Sequence, residues 1–241
     1  MAAKAFRDLS TAEELRDYLD RPLDHVRGSV FHYTSLEAVL CIYSQRTLRF
    51  SSFERTNDRA EAAFVSEETK KKHYLCLMRT MEESYAMWAM YGTLSRPREG
   101  HELRDMSVKL EIPVPALKTF AEEQGLRMTG VAYTQLVRGA DRHSYCCQTC
   151  ENHRDIKPDP GILSGYIKDV AWKYEREMRV WSDREAVPVS EGFLDSIRVI
   201  PSPVLTVDLC QSALKDNAIY GDAGNLIRFT KNSYEGSYLA R

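Results

Sequence analysis

The sequence predicts a mixed α+β fold, on three observations. Segments with strand character outnumber those with helical character, and the two do not alternate regularly enough for a doubly wound sheet. Neither Gly-x-Gly-x-x-Gly nor a phosphate loop is present, so any nucleotide must be held without a Rossmann or P-loop turn. At 241 residues, 43% hydrophobic and 28% charged, the chain has ordinary globular composition and can bury a sizeable core. The expected organisation is a leading helix and linker over 1–28, then a single α+β domain over 29–241. A net charge of −2 argues against a generally basic nucleic-acid binder. The N-terminus has no apolar signal core and no run approaches the roughly 18 apolar residues of a membrane span, so a soluble, cytoplasmic protein with no membrane partner is expected. Cys41, Cys76 and Cys210 stand alone in apolar surroundings and read as small buried hydrophobes in a reducing compartment, not as a disulfide framework.

The elements follow in order. Ser10 or Thr11 caps a helix over 11–21, with Glu13 and Glu14 in its first turn and Leu15, Tyr18 and Leu19 on one face. Pro22 and Gly28 punctuate the chain before a core strand at Val30 to Tyr33. Ser35 caps a helix carrying Leu36, Val39, Leu40 and Tyr43, and 47–52 alternates as a strand. A loop at 57–61 leads into a polar helix ending at Lys70-Lys71-Lys72, a cationic end that its dipole favours. A strand at 74–78, a helix at 81–91 stopped by Gly92, and a mobile polar loop at 95–105 come next. Then follow a strand at 106–112, a helix from Pro115 to Glu123 stopped by Gly125, and a strand at 130–137. The stretch 139–160 reads as irregular. The last third reads as a helix at 162–170 and strands at 174–181, 197–200, 204–209 and 226–229.

Three groups of residues carry candidate chemistry. On a strand over 174–181, alternation puts Glu175, Glu177 and Arg179 on one face, bracketed by Trp172 and Trp181. Two neighbouring carboxylates push one pKa up and the arginine counters it, which sets a catalytic carboxylate beside a supporting one; a solvated Glu–Arg face is the alternative. His32 faces away from Phe31 and Tyr33 and precedes the hydroxyls Thr34 and Ser35, where a hydrogen-bonded structural histidine is the alternative to a ligand contact. Cys147 and Cys150 have the spacing that lets two thiolates reach one zinc, and His153 or Cys146 can add a third ligand. No matching second pair follows, so an exposed thiol-rich loop is the default there.

The ordered set Phe31-His32-Tyr33-Thr34-Ser35, Asn57-Asp58 with Glu61, Tyr74-Leu75-Cys76, Met87 to Tyr91, Val131-Ala132-Tyr133, Lys168 and Trp172 to Arg179 resembles the bacterial family called domain of unknown function 2971, over about residues 30 to 210. It departs from that family at Arg59, where a proline is usual, and at Leu77-Met78, where Phe-Ser is usual. The family name supplies no activity. The early histidine and late Glu-x-Glu are also similar to the His-Tyr-Glu pattern of ADP-ribosyltransferases, which implies a mixed, mainly antiparallel split sheet with flanking helices that holds NAD in a cleft. That resemblance implies His32 at the adenine-side ribose with Tyr33 and Thr34 beside it, Ser51 or Ser52 near the nicotinamide ribose, and Tyr91 or Trp88 as a stacking surface. It implies Glu177 as the catalytic carboxylate, Glu175 orienting the acceptor, and Arg179 in the same site.

The function this implies is cleavage of the nicotinamide–ribose bond of NAD, with ADP-ribose passing to an acceptor (protein, nucleic acid or small molecule) or to water, in a bacterial toxin or anti-phage setting. Two other classes compete: a non-catalytic module that binds a nucleotide or partner, and a metal-dependent nuclease using Asp58, Glu61 and the late glutamates.

Overall fold

The computed structural model describes residues 5–24, 26–53, 56, 58–79, 85–91, 103–137, 139–146, 153–216 and 218–232. A 3₁₀ turn at Phe6–Asp8 precedes α1 (Ala12–Leu19), whose cap Thr11 accepts a hydrogen bond from the Glu14 amide. Then come β1 (Ser29–Ser35) and α2 (Leu36–Gln45), capped by the Ser35 hydroxyl and ended by Arg46 in the left-handed region. The expected strand over 47–52 is two strands, β2 (Thr47–Arg49) and β3 (Ser51–Ser52), which pair with different partners. The expected polar helix is likewise two. Asp58 caps α3 (Arg59–Phe64), and the chain breaks at Val65 so that the Ser66 hydroxyl can cap α4 (Glu67–Lys70).

Next are β4 (His73–Met78) and α5 (Tyr85–Tyr91); positions 81–84, Gly92 and the expected loop up to 102 lie outside the described residues. Leu103–Asp105 makes a 3₁₀ turn, followed by β5 (Ser107–Pro113) and α6 (Val114–Gln124), with Gly125 at φ +64° past its end. The expected strand at 130–137 divides into β6 (Arg127–Gly130) and β7 (Ala132–Thr134). The stretch read as irregular contains β8 (His143–Cys146) and β9 (His153–Ile156).

The expected helix at 162–170 is instead a set of turns leading to β10 (Ile167–Asp169), because Gly165 takes φ +80°, a left-handed conformation that no helix continues. A 3₁₀ helix at Val170–Glu175 follows, and Arg176 at φ +44° turns the chain into β11 (Glu177–Ser182). Two elements not expected from the sequence come next, β12 (Ala186–Pro188) and α7 (Glu191–Ser196). After β13 (Arg198–Pro201), the expected strand at 204–209 is α8 (Val207–Lys215), started by the Thr206 cap, which accepts from the Leu209 amide. The expected strand at 226–229 reduces to one bridge between Phe229 and Val199 after a 3₁₀ helix at Ala218–Leu226.

The chain forms two compact units, each assembled from separated segments. The first comprises Met1–Arg27, Phe50–Arg79 and Ala121–Glu185. There β11 pairs antiparallel with β4 on one side and β6 on the other, and β3 pairs antiparallel with β4. A second sheet runs β10-β7-β8-β9, with β10 and β7 parallel and the other pairs antiparallel. Leu15 and Leu19 of α1 pack into its core with Tyr145, Leu163 and Tyr166.

The second unit comprises Gly28–Arg49, Thr80–Phe120 and Ala186–Arg241. Its β5 pairs antiparallel with β1 and β13, and β12 pairs antiparallel with β2. Phe120 stacks on Phe193 at 4.4 Å between ring centres. The class is therefore α+β, as the order of elements in the sequence predicts, with the mainly antiparallel pairing that the resemblance implies. Among the described residues no helix is long and apolar enough to cross a membrane.

Candidate functional site

Every residue of β11 is buried, including the two charged ones, Glu177 and Arg179. Since β11 is covered on both faces as well as paired at both edges, Met178 and Val180 alternate with Glu177 and Arg179, and the two charged residues must find partners inside the first unit. They find each other: Arg179 Nε donates to Glu177 Oε1 at 2.7 Å and Nη2 to Oε2 at 3.3 Å. This is a two-pronged contact between planar groups. Arg179 Nη1 donates to the backbone carbonyl of Gly165 at 2.9 Å and also binds the Glu61 carboxylate from α3. The rings of Tyr74, Phe53 and Trp181 surround the guanidinium at 5.0, 5.4 and 6.0 Å. Arg179 is thus wholly enclosed, which a guanidinium tolerates only when its donors are used.

Lys168 of β10 completes the arrangement. Its ammonium lies 2.5 Å from Glu175 Oε2 and 3.1 Å from Glu177 Oε2, and 5.0 Å over the Trp172 ring. The Glu177 amide donates to the Tyr133 hydroxyl at 2.8 Å, and the Cys76 thiol donates to Glu177 Oε1 at 2.9 Å. Burial pushes the Glu177 carboxyl pKa up, but Arg179 and Lys168 outweigh it and hold the group below the ordinary carboxylate range. Burial lowers the Lys168 pKa, and Glu177 and Glu175 more than reverse this, so the ammonium stays charged. Glu61 goes the other way: burial raises its pKa and Arg179 only partly opposes it. The Glu61 Oε2 atom is buried with no hydrogen-bond partner. Crowding by protein and the Glu177 charge push the Cys76 thiol well above its usual range. Yet Cys76 itself is exposed, a correction to its reading as a buried hydrophobe; it is where this cluster meets solvent.

The expected pairing of Glu175 and Glu177 is present, but for a different reason than strand alternation. Glu175 ends the 3₁₀ helix, before the left-handed Arg176, and is joined to Glu177 through Lys168. Neither carboxylate lies on a solvated face, which removes that alternative. Ser51 is exposed and Ser52 half-buried on β3, also in the first unit. In the second unit, Tyr33 is buried edge-on against Trp88 at 4.7 Å, while His32, Thr34 and Tyr91 are half-buried. His32 stands opposite Leu110 and Tyr33 opposite Lys109 in the β1–β5 register.

Cys147 and Cys150 lie outside the described residues; His153 is exposed on β9 and Cys146 buried on β8. Among the described residues no three His, Cys, Asp or Glu side chains are grouped to hold a metal ion. The nuclease reading meets a further obstacle, because Glu61 and Glu177 are engaged by Arg179 instead of being free for a cation.

The sequence pointed to no part in the site for Lys168, Tyr133 or Cys76, the last read only as a buried hydrophobe, and placed Glu61 only in the nuclease alternative. All four occur in the motifs that carry the family resemblance, which was the available signal. No family model matches the chain, so the resemblance to domain of unknown function 2971 is not confirmed, and no curated protein matches it. Among solved structures, the chain is similar to that of DarT from Thermus sp. 2.9 in complex with NAD+, at 12% identity and a TM-score of 0.42, over 87% of this chain and 97% of that one. The functional reading therefore stands on this chain's own residues.

Proposed function

We propose that the protein is an ADP-ribosyltransferase-like enzyme that breaks the nicotinamide–ribose bond of NAD and passes ADP-ribose to an acceptor or to water. The observation that carries this reading is the Glu177 carboxylate, held ionised by Arg179 and Lys168 and touched by the solvent-exposed Cys76. When the bond breaks, its electron pair leaves with the nicotinamide nitrogen, which becomes neutral, and positive charge develops on the ribose. A fixed carboxylate beside that sugar stabilises the transition state more than the ground state, as in glycoside cleavage. Glu177 is already ionised and its partners already oriented, so little reorganisation is needed when the charge appears. The acceptor oxygen or nitrogen then bonds to the sugar and loses its proton; with water, the products are nicotinamide, ADP-ribose and a proton. Glu175 is bound to Lys168 and acts through it, fixing the ammonium against Glu177. A toxin or anti-phage setting belongs to the same proposal.

The complete burial of Arg179 and Glu61 favours a second reading, a non-catalytic binding module in which the network is purely structural. Nicotinamide release from NAD by the wild-type protein and by Glu177→Gln, with thermal shift in NAD on both, separates the two. The proposal expects release by the wild type and loss of about a hundredfold or more in Glu177→Gln, with the NAD-induced shift retained. Wild-type protein that neither releases nicotinamide nor shifts in NAD overturns it and leaves the binding module.

A further inference from the structure

The opposite end of β11 from Glu177 opens on a different kind of site. Lys72, Gln124, Arg127, Trp181, Asp183 and Arg184 are among the residues lining a cavity of about 210 Å³ within the first unit. Its floor is the buried Trp181, whose indole N–H donates to Thr129 Oγ1 at 2.7 Å and so keeps the ring in one orientation. The Arg127 guanidinium lies against two ring faces, 5.4 Å from the centre of Tyr166 and 5.7 Å from that of Trp181. Arg184 Nη2 donates to the Gln124 backbone carbonyl at 3.4 Å and to its side-chain oxygen at 3.2 Å. Lys72 is 3.4 Å from Asp183 Oδ1, the single carboxylate among the lining residues.

Three cations thus surround one hollow with one carboxylate, leaving two positive charges in excess. The partners of the two arginines are aromatic faces and amide oxygens, which fix a guanidinium in place without neutralising it. Among the described residues no carboxylate forms an ion pair with Arg127 or Arg184. Like charges gathered this way repel one another unless an anion joins them. A guanidinium fork matches the spacing of phosphate oxygens, and an excess of two charges matches the second ionisation of a phosphate monoester better than a singly charged carboxylate. The Lys70-Lys71-Lys72 run therefore divides: Lys70 pairs with Glu67 on the surface of α4, while Lys72 is turned to this cavity.

We propose that this cavity binds the phosphate monoester group of a phosphorylated ligand. The site shares Trp181 with the surroundings of Arg179 but uses different charged groups, and it does not depend on the NAD reading. Calorimetric titration at low ionic strength tests it with three probes: inorganic phosphate, a nucleoside 5′-monophosphate and a 5′-phosphorylated oligonucleotide. Wild-type protein is expected to bind at least one of them, more tightly at pH 7.5 than at pH 5.5 because the monoester gains its second charge near pH 6. Equal affinity for the first two identifies a small phosphorylated molecule; a strong preference for the oligonucleotide identifies a nucleic-acid end. Arg127→Gln and Arg184→Gln, both at exposed positions, should each weaken binding by about tenfold. Backbone amide shifts of the double variant, matching those of wild type away from the cavity, confirm that it is folded. Absence of binding by all three probes, or affinity unchanged in the folded double variant, overturns the proposal.

Discussion

The two units each bury a cation against three aromatic rings, and in the first that cation is also joined to a network of carboxylates. In the first, Arg179 has no exposure and is held by two carboxylates and a backbone carbonyl, with a second cation, Lys168, sharing one of those carboxylates. In the second, Lys109 of β5 is buried with its ammonium 5.0 Å from the centre of the Phe31 ring and 6.0 Å from those of Tyr33 and Trp88. An aromatic face returns part of the hydration lost by an ammonium and carries no net charge of its own. An ion network is different: each member's burial depends on the others, so removal of one leaves an uncompensated charge in a low-dielectric interior. Charge concentrated around Glu177 is thus a commitment that several residues of the first unit make together.

The largest effect should follow from breaking that network at its centre. Arg179→Met keeps the stem but leaves Glu61 and Glu177 without their shared cation, and should destabilise the protein by about 3–5 kcal/mol in urea unfolding. A loss below about 1 kcal/mol would mean that Lys168 alone suffices for the carboxylates. Next in size is Gly165→Ala. Gly165 sits at φ +80°, and a Cβ there would lie 2.6 Å from Trp181 Cη2, while its carbonyl accepts from Arg179. Left-handed strain and the clash together should cost about 2–3 kcal/mol, read as a fall in the unfolding midpoint.

Local chemistry was legible in the sequence where it is decided locally. Thr11 and Ser35 each accept from an amide three residues on, and the helices behind them carry their apolar residues at helical spacing; both elements are found where expected. Thr206 is the same device, yet 204–209 was expected as a strand because Val204, Leu205, Val207 and Leu209 outweighed a cap signal that in fact starts α8. The Glu-x-Glu reading failed similarly at one backbone angle. Arg176 in the left-handed region breaks the alternation, and nothing about an arginine announces φ +44°. The partners that matter are remote: Glu61 binds Arg179 across 118 positions, and Asp58 followed by Glu61 looks only like a helix start. Periodicity reports which face is buried, and not which distant charge will be there to meet it.

Lys109→Met tests the contrasting unit. It keeps an unbranched side chain over the same three rings and removes the ammonium, so the loss in urea unfolding reads what that charge contributes, and it should stay below the roughly 3 kcal/mol expected where Arg179 is taken from two carboxylates. A loss as large as that of Arg179→Met would show that the second unit depends on its buried charge as much as the first does.

The smallest change is expected inside the network itself, at Glu61→Gln. Three carboxylates, Glu61, Glu175 and Glu177, share two cations, Lys168 and Arg179, so the cluster is most easily neutral when one carboxyl holds a proton. Of the three, Glu61 is the carboxyl whose pKa is raised, by burial that Arg179 only partly opposes, and its Oε2 makes no hydrogen bond, so it is the member tested for that proton. Glutamine copies the neutral acid, keeping an oxygen for Arg179, and should alter stability at neutral pH by less than about 1 kcal/mol. The sign with pH follows by linkage. A carboxyl whose pKa is raised on folding favours the folded state below its unfolded pKa, and that contribution is lost as pH rises through the folded value. Glu177, with its pKa lowered, contributes above its unfolded value and loses this as pH falls. In the wild type the Glu61 gain comes on acidification from neutral to the ordinary carboxyl range of about pH 4, and the Glu177 loss follows below it. Glu61→Gln removes the gain, so its stability should fall relative to that of the wild type over the same range. Urea unfolding of both proteins across that range reads the difference directly. A neutral-pH loss comparable to that of Arg179→Met would show instead that Glu61 is ionised and that its charge is needed to hold the guanidinium.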